Sequence, residues 1–335
     1  MQTTRIVIPS SERRKRVGGC RPEAIGESSM IDVRMSTPAD GHGKPTHHAY
    51  IGLAVGVLSV STGAIFVRYA QHEAASLTIA AYRMGIAFVV VLIPTLINHR
   101  RELQTLTYRD VGLAATSGLF LAVHFATWVY SLEITSVAIS VVMVNTAPLW
   151  VGLLTPLMTR ERLSLATILG IAISVIGAMA IGCGLERDGD SSDDLLGGML
   201  ATIGAVGLAV YLLIGRNLRR RHSLGVYVTV CYGAAAGYLF LAAIGMGQQV
   251  AGFSLPTWRY LIGLALVSQI LGHTTNNWAL RFFSASMIAV ALLGEPICST
   301  LLAYFLFDET LTAVQVGGAA LILVGIYLAA RAERR

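Results

Sequence analysis

Glu295 and Arg83 need a chemical explanation first, because each is an ionisable side chain inside a long apolar stretch. Glu295 precedes Pro296 near the middle of residues 284–306, which are long and apolar enough to cross a bilayer as a helix. A charge in hydrocarbon is costly and is tolerated mainly beside a partner or a water-filled cavity. Pro296 lacks a backbone donor, so we expect the helix to kink or open beside the acid.

Four polar residues are predicted to share one depth in the membrane. At a helical rise of about 1.5 Å per residue, Arg83, His124, Asn145 and Glu295 fall roughly 10 to 17 Å below the outer face. Arg83 could hold an anionic group such as a substrate carboxylate, while Glu295 could bind a cationic amine or a coupling proton. The alternative is a buried structural ion pair in which each ion stabilises the other.

Further candidates for the substrate site are histidines, aromatic residues and amides. His124 could relay a proton, or it could be a neutral, hydrogen-bonded imidazole, and the same alternatives apply to His273. Aromatic and amide side chains could line a cavity, although Trp and Tyr near helix ends are also typical of the membrane interface. These candidates are Tyr82, Trp128, Asn276 and Asn277. The four cysteines lack metal-ligand spacing, so the sequence predicts neither a metal nor a cofactor.

The composition predicts the elements that position these residues. Of 335 residues, 54% are hydrophobic and 13% are charged, and the mean hydropathy is +0.64, too apolar for a soluble chain of this length. Apolar runs of about 20 residues predict transmembrane helices. The ten predicted spans are 50–70, 75–97, 109–131, 135–157, 163–184, 195–215, 223–246, 257–280, 284–306 and 311–331.

The charge distribution predicts the orientation of these spans. The net charge is +6, but all Lys and Arg residues except Arg68, Arg83, Arg187 and Arg259 fall on one predicted face together with the tail. The positive-inside rule then predicts a multi-pass inner-membrane protein with both termini in the cytoplasm. This pattern argues against nucleic acid as a partner.

The chain contains an internal repeat. A shift of 148 residues superposes Pro148 on Pro296, Ser136 on Ser284, Arg68 on Arg216, and Gly170 on Gly318. Five helices in each half would make the second half enter from the opposite side, as in transporters with inverted repeats. We therefore predict an all-α protein with a disordered basic tail (1–49) and two five-helix repeats (50–184 and 195–331).

Several motifs resemble the EamA-like branch of the drug/metabolite transporter superfamily. In the first half they are Pro148-Leu149-Trp150 and Arg160-Glu161-Arg162-Leu163-Ser164, and in the second Glu295-Pro296, Asp308-Glu309-Thr310-Leu311 and Gly317-Gly318. The resemblance covers residues 50–331. It implies a ten-helix transporter that exports amino acids or diverse small metabolites, with some family members acting as importers.

Three interpretations of function follow from these patterns. The first is a secondary transporter that exports a small polar or amphipathic metabolite by alternating access, with proton coupling through Glu295 or His124 as a hypothesis. The second is uptake of the same solutes, and the third is a membrane sensor or interaction protein that uses its basic tail. No nucleotide-binding or hydrolase motif is present, so we do not expect an enzyme. The expected partners are a small-molecule substrate and the lipid bilayer. A homodimer of two copies of this chain is also compatible with the sequence.

Overall fold

The computed structural model describes residues 47–135, 137–159, 163–183, 191–298, 301 and 312–333, and the regular structure in these ranges is helical, without strands. The first-half helices are α1 (His47–Val60), α2 (Gly63–Ala70), α3 (Ser76–Asn98), α4 (Arg100–Gln104), α5 (Tyr108–Ile134), α6 (Val137–Val144), α7 (Ala147–Met158) and α8 (Leu165–Cys183). The second-half elements are α9 (Ser191–Arg219), α10 (Leu224–Gly245), α11 (Leu255–Gly263), a π-helix (Leu264–Thr274), α12 (Thr275–Ala279), α13 (Ala285–Leu292) and α14 (Ala313–Glu333). The all-α prediction is confirmed for these residues.

The tail predicted over residues 1–49 lies outside the described residues except for its last three. Residues 47–49 are helical, so the first helix begins earlier than predicted. The acidic and basic loop motifs at 160–162 and 308–311 also lie outside the described ranges.

Helix length and composition identify a multi-pass membrane protein. In the described ranges, seven helices are long and apolar enough to cross a bilayer: His47–Ala70, Ser76–Asn98, Tyr108–Ile134, Ile139–Met158, Asp194–Arg219, Leu224–Gly245 and Ala313–Ala332. Leu165–Ala180 and Ala285–Cys298 are shorter apolar helices. Helical residues overlap each of the ten stretches predicted from the sequence.

Two helix breaks lie at equivalent positions of the repeat. The first separates α6 from α7 at Asn145, and the second follows α13 at Leu293, which is 148 residues later. Pro148 and Pro296 lie just beyond these breaks, in the first turn of the next helical segment, where a missing backbone donor costs little. The helix break expected beside Glu295 is therefore confirmed.

Helices α8 and α14 pack through glycines that are paired by the repeat. A Cβ built on Gly177 would lie 2.5 Å from the carbonyl oxygen of Gly318, and one on Gly170 would lie 2.8 Å from that of Gly325. Between these contacts, the Ser174 hydroxyl donates to the Ile322 carbonyl oxygen at 3.4 Å. Small residues let helix backbones approach this closely in the absence of a hydrophobic driving force.

Two groups of helices, α5 with α9 and α1 with the π-helix, each pack closely at a glycine. Helix α5 packs along α9, and a Cβ on Gly204 would lie 3.3 Å from the His124 carbonyl oxygen. Helix α1 packs along the π-helix, and a Cβ on Gly56 would lie 3.4 Å from the Gly272 carbonyl oxygen. The second contact repeats the first at a shift of 148 residues, so equivalent helices make equivalent contacts in the two groups.

Candidate functional site

A small cavity lies between these two helix groups. Its volume is about 40 Å³, which accommodates only a few water molecules. It is lined by residues of α1, α3, α5, α6, α7, α9, α13 and the π-helix, by Asn145 at the first helix break and by Glu295 just beyond the second. The lining residues are Val60, Arg83, His124, Phe125, Trp128, Val144, Asn145, Ala147, Pro148, Leu208, His273, Ala289, Leu292 and Glu295.

Repeat-equivalent positions from both halves line this cavity. Four pairs of lining residues are 148 positions apart: Val60 and Leu208, Phe125 and His273, Val144 and Leu292, and Ala147 and Glu295. The Phe125 and His273 rings contact each other edge to face, with centroids 5.2 Å apart. The cavity therefore lies where the two repeats meet. Its charged side chains differ between the repeats, since Ala147 is the counterpart of Glu295 and Cys231 is that of Arg83.

Arg83 is hydrogen-bonded and packed on an aromatic ring but forms no salt bridge with a described residue. Its side chain is 1% exposed, and its Nε donates to Gln269 Oε1 at 2.8 Å. Its guanidinium carbon lies 3.9 Å from the centroid of the Phe125 ring, a cation–π contact. No carboxylate of the described residues lies within 4.0 Å of Arg83.

Glu295 lines the same cavity without a salt bridge to Arg83. Its side chain is partly buried and accepts no hydrogen bond from the described residues. An arginine and a glutamate thus line one cavity, and neither forms a salt bridge with a described residue. A direct structural ion pair between them is not present in this structure.

His124 presents one ring nitrogen to a neighbouring helix. Its Nδ1 lies 2.9 Å from the Gly204 carbonyl oxygen, which can only accept, so Nδ1 carries a proton in this geometry. Nε2 is then available as an acceptor in the neutral ring. The His124 ring lies parallel to Trp128, and its centroid is 6.2 Å from that of His273.

Trp128 and Asn145 add polar groups to the cavity. The Nε1 donor of Trp128 is buried and has no acceptor among the described residues. Asn145 is 6% exposed, and its Nδ2 donates to the Val141 carbonyl oxygen at 2.8 Å. The structure therefore brings six of the candidate residues to one cavity, namely Arg83, His124, Trp128, Asn145, His273 and Glu295.

Three candidate residues lie elsewhere. The Tyr82 hydroxyl donates to the Val250 carbonyl oxygen at 2.5 Å, and its ring packs edge to face on Trp258. Asn277 is fully buried and donates to the hydroxyls of Tyr211 and Tyr232. Asn276 is also buried, and neither polar atom of its side chain has a partner in the described part of the chain.

Gln269 adjoins the candidate site, although the sequence analysis did not single it out. It is fully buried in the π-helix, where it accepts from Arg83. The available signal was its position four residues before His273 in an apolar stretch. That spacing places the two side chains on similar faces of a helix, and π-helical segments are frequent at functional sites.

The family model for EamA-like transporters matches this chain twice, over residues 47–183 and 195–331. The chain belongs to the EamA-like transporter family. This finding confirms the resemblance to the drug/metabolite transporter superfamily and identifies a membrane transporter.

Several proteins resemble this EamA-like transporter over most of their length. An uncharacterized transporter of Archaeoglobus fulgidus is 25% identical over 83% of this chain and 95% of its own. The pseudopaline exporter of Pseudomonas aeruginosa is 23% identical over 84% of this chain and 97% of its own. A protein of known crystal structure superposes with a TM-score of 0.70 at 19% identity, covering 85% of this chain and 97% of that one. The last similarity establishes the fold alone.

Proposed function

We propose that this EamA-like transporter exports an amino acid or a related zwitterionic metabolite by alternating access. The observation that carries the proposal is the cavity between the repeats, which holds Arg83 and Glu295 without a salt bridge between them. A buried ion without a partner is costly. A ligand with one carboxylate and one ammonium group would compensate both charges at once.

Contacts across the repeat support an inverted arrangement of two five-helix units, residues 50–184 and 195–331. Ser174 contacts Ile322, and Phe125 contacts His273, and both pairs are related by the shift of 148 residues. In a two-fold arrangement a residue on the axis contacts its own equivalent, as at an isologous interface. Inverted repeats related by an axis in the membrane plane commonly hold the substrate at their interface.

The small size of the cavity supports a mechanism in which the two helix groups move relative to each other. Pockets for small ligands usually enclose about 300 to 1,000 Å³, whereas this cavity measures about 40 Å³. An amino acid can therefore enter only after the two helix groups separate at one end. Alternating separation at opposite ends is the movement that transports a solute.

The charge distribution supports the proposed orientation in the membrane, and similarity to a known exporter supports the proposed direction of transport. The positive-inside rule supports an inner-membrane protein with both termini in the cytoplasm. Similarity to the pseudopaline exporter over nearly all of its length supports export, and uptake of the same solutes is the opposing outcome. Proton coupling through Glu295 or His124 extends the proposal, because both line the cavity.

Transport by the purified protein in proteoliposomes tests this function. Vesicles loaded with a panel of labelled amino acids should release at least one of them faster than empty-bilayer controls. An imposed pH gradient should change that rate if a proton is coupled, and a rate indifferent to the gradient would remove the coupling. Failure to move any zwitterion, with transport of another solute class, would overturn the substrate assignment.

A further inference from the structure

Arg216 joins the two helix groups at one end of the molecule. Its side chain is 5% exposed, and its Nη1 donates to the carbonyl oxygen of Leu280 at 2.7 Å and to that of Phe283. Arg216 belongs to α9, whereas the two carbonyls belong to the turn between α12 and α13. Carbonyls at a helix C-terminus lack helical partners and carry negative partial charge, so an arginine is well suited to bind them.

Arg68 is the repeat counterpart of Arg216, but it is not engaged. It lies in the last turn of α2 and is exposed, and it makes no hydrogen bond or ion pair with any described residue. The counterparts of Leu280 and Phe283 are Leu132 and Thr135, at the C-terminal end of α5. Within the described ranges, one arginine of the pair is therefore hydrogen-bonded and the other is not.

A second hydrogen bond close to the arginine contact is present at both ends of the molecule, so the difference between Arg68 and Arg216 is not a general difference between the two ends. Gln71 Nε2 donates to the Val129 carbonyl oxygen at 2.9 Å. Arg219 Nε donates to the Asn277 carbonyl oxygen at 3.1 Å, and both residues lie 148 positions after the first pair. The equivalence of the two ends thus extends to single hydrogen bonds, while the arginine contact is made at one end only.

The two arginines act at opposite ends of the membrane helices. Helices α5 and α9 are antiparallel, since Gly197 lies against Thr135 while Gly207 lies against Phe120. Thr135 therefore lies near the start of α9, and Arg216 lies near its other end. On the proposed orientation, Arg216 closes the cytoplasmic end and Arg68 lies at the outer end.

We propose that Arg216 and Arg68 are alternating latches of the transport cycle. In this structure Arg216 holds the cytoplasmic end closed. In the opposite state the repeats exchange conformations, so that Arg216 releases its carbonyls and Arg68 binds those of Leu132 and Thr135. This inference rests on the proposed alternating access, and it assigns a role in transport to an exposed arginine that makes no hydrogen bond or ion pair with the described residues.

The variant Arg68→Gln tests the proposal, with Arg259→Gln as its matched control. Both arginines are exposed and lie at the proposed outer end, so neither substitution should unfold the protein. Loss of the Arg68 latch destabilises only the opposite state, and losing hydrogen bonds from a charged group to carbonyl oxygens should make that state about tenfold less populated. Transport should slow by about tenfold in Arg68→Gln and stay at the wild-type rate in Arg259→Gln.

Hydrogen–deuterium exchange of the full-length protein in lipid provides a readout that needs no substrate. Exchange in residues 276–283 should slow in Arg68→Gln, because the cytoplasmic end opens less often, and should accelerate in Arg216→Gln. If Arg68→Gln matches Arg259→Gln in both transport and exchange, the latch proposal is wrong even if the wild type transports amino acids. If the two variants shift exchange in opposite directions but no amino acid is transported, the latch proposal is supported and the proposed substrate is wrong.

Discussion

Replacing Gln269 with Glu should weaken substrate binding without weakening the fold. Gln269 Oε1 accepts from Arg83 Nε at 2.8 Å, so a glutamate at this position would place a carboxylate against the guanidinium. The buried Arg83 would gain a counter-ion, which offsets the cost of burying it. The same carboxylate would repel the carboxylate of an incoming substrate on the other side of the guanidinium.

The size of this effect follows from the geometry. A substrate carboxylate and the new glutamate would lie on the order of 7 Å apart, the width of a guanidinium with a hydrogen bond on each side. At an effective dielectric constant of about 20, two like charges at that distance repel by about 2 kcal/mol. This energy corresponds to a roughly thirtyfold loss of affinity.

The assay is the concentration dependence of transport in proteoliposomes, with thermal unfolding measured in parallel. Gln269→Glu should raise KM for the transported amino acid about thirtyfold and leave the melting temperature at or above that of the wild type. Gln315→Glu is the matched control, because Gln315 is a buried glutamine in the first turn of α14 that does not line the cavity. A folded Gln269→Glu protein with an unchanged KM would refute the assignment of Arg83 to the substrate carboxylate.

Two further predictions concern stability. A Cβ on Gly325 would clash with the Ser174 side chain and lie 2.5 Å from the Gly170 carbonyl oxygen, so Gly325→Ala should lower the free energy of unfolding by about 1–3 kcal/mol. Gly237→Ala is the control, because a Cβ there meets no atom of the described structure, and it should leave the free energy of unfolding unchanged. Equal melting temperatures of the Gly325→Ala and Gly237→Ala proteins in detergent would contradict the close packing of α8 and α14. Burial raises the pKa of Glu102, but the Ser223 backbone N–H at 2.7 Å, with His99 and His222, outweighs it, so the pKa lies below its ordinary 4.5. The stabilisation by Glu102 should be complete above pH 4.5 and fade as the pH falls through its lowered pKa, so the melting temperatures of wild type and Glu102→Gln should converge in acid; a constant difference would exclude this account.

The helices and the polar residues that line the cavity could be predicted from the sequence for identifiable reasons. Ionisable residues are rare enough in apolar stretches that Arg83 and Glu295 were conspicuous, and helical rise placed them at a common depth. The shift of 148 residues also related positions that line one cavity, such as Ala147 and Glu295.

Other features could not be predicted because they depend on packing between distant segments. The π-helix leaves no signature in hydropathy, yet it carries Gln269, which fixes Arg83 across 186 residues of sequence. Tyr82 and Asn277 were candidates because an aromatic ring and an amide could line a cavity. Their hydroxyl and amide groups are instead occupied by Val250 and by two tyrosines, contacts that no local pattern reveals.

The most direct test of the central claim compares three compounds with two cavity variants. The compounds are a transported amino acid, the amine that lacks its carboxylate and the acid that lacks its amine. The wild type should prefer the amino acid, Arg83→Gln should no longer distinguish it from the amine, and Glu295→Gln should no longer distinguish it from the acid. If each variant slows the transport of all three compounds equally, Arg83 and Glu295 do not bind the two ends of a zwitterion.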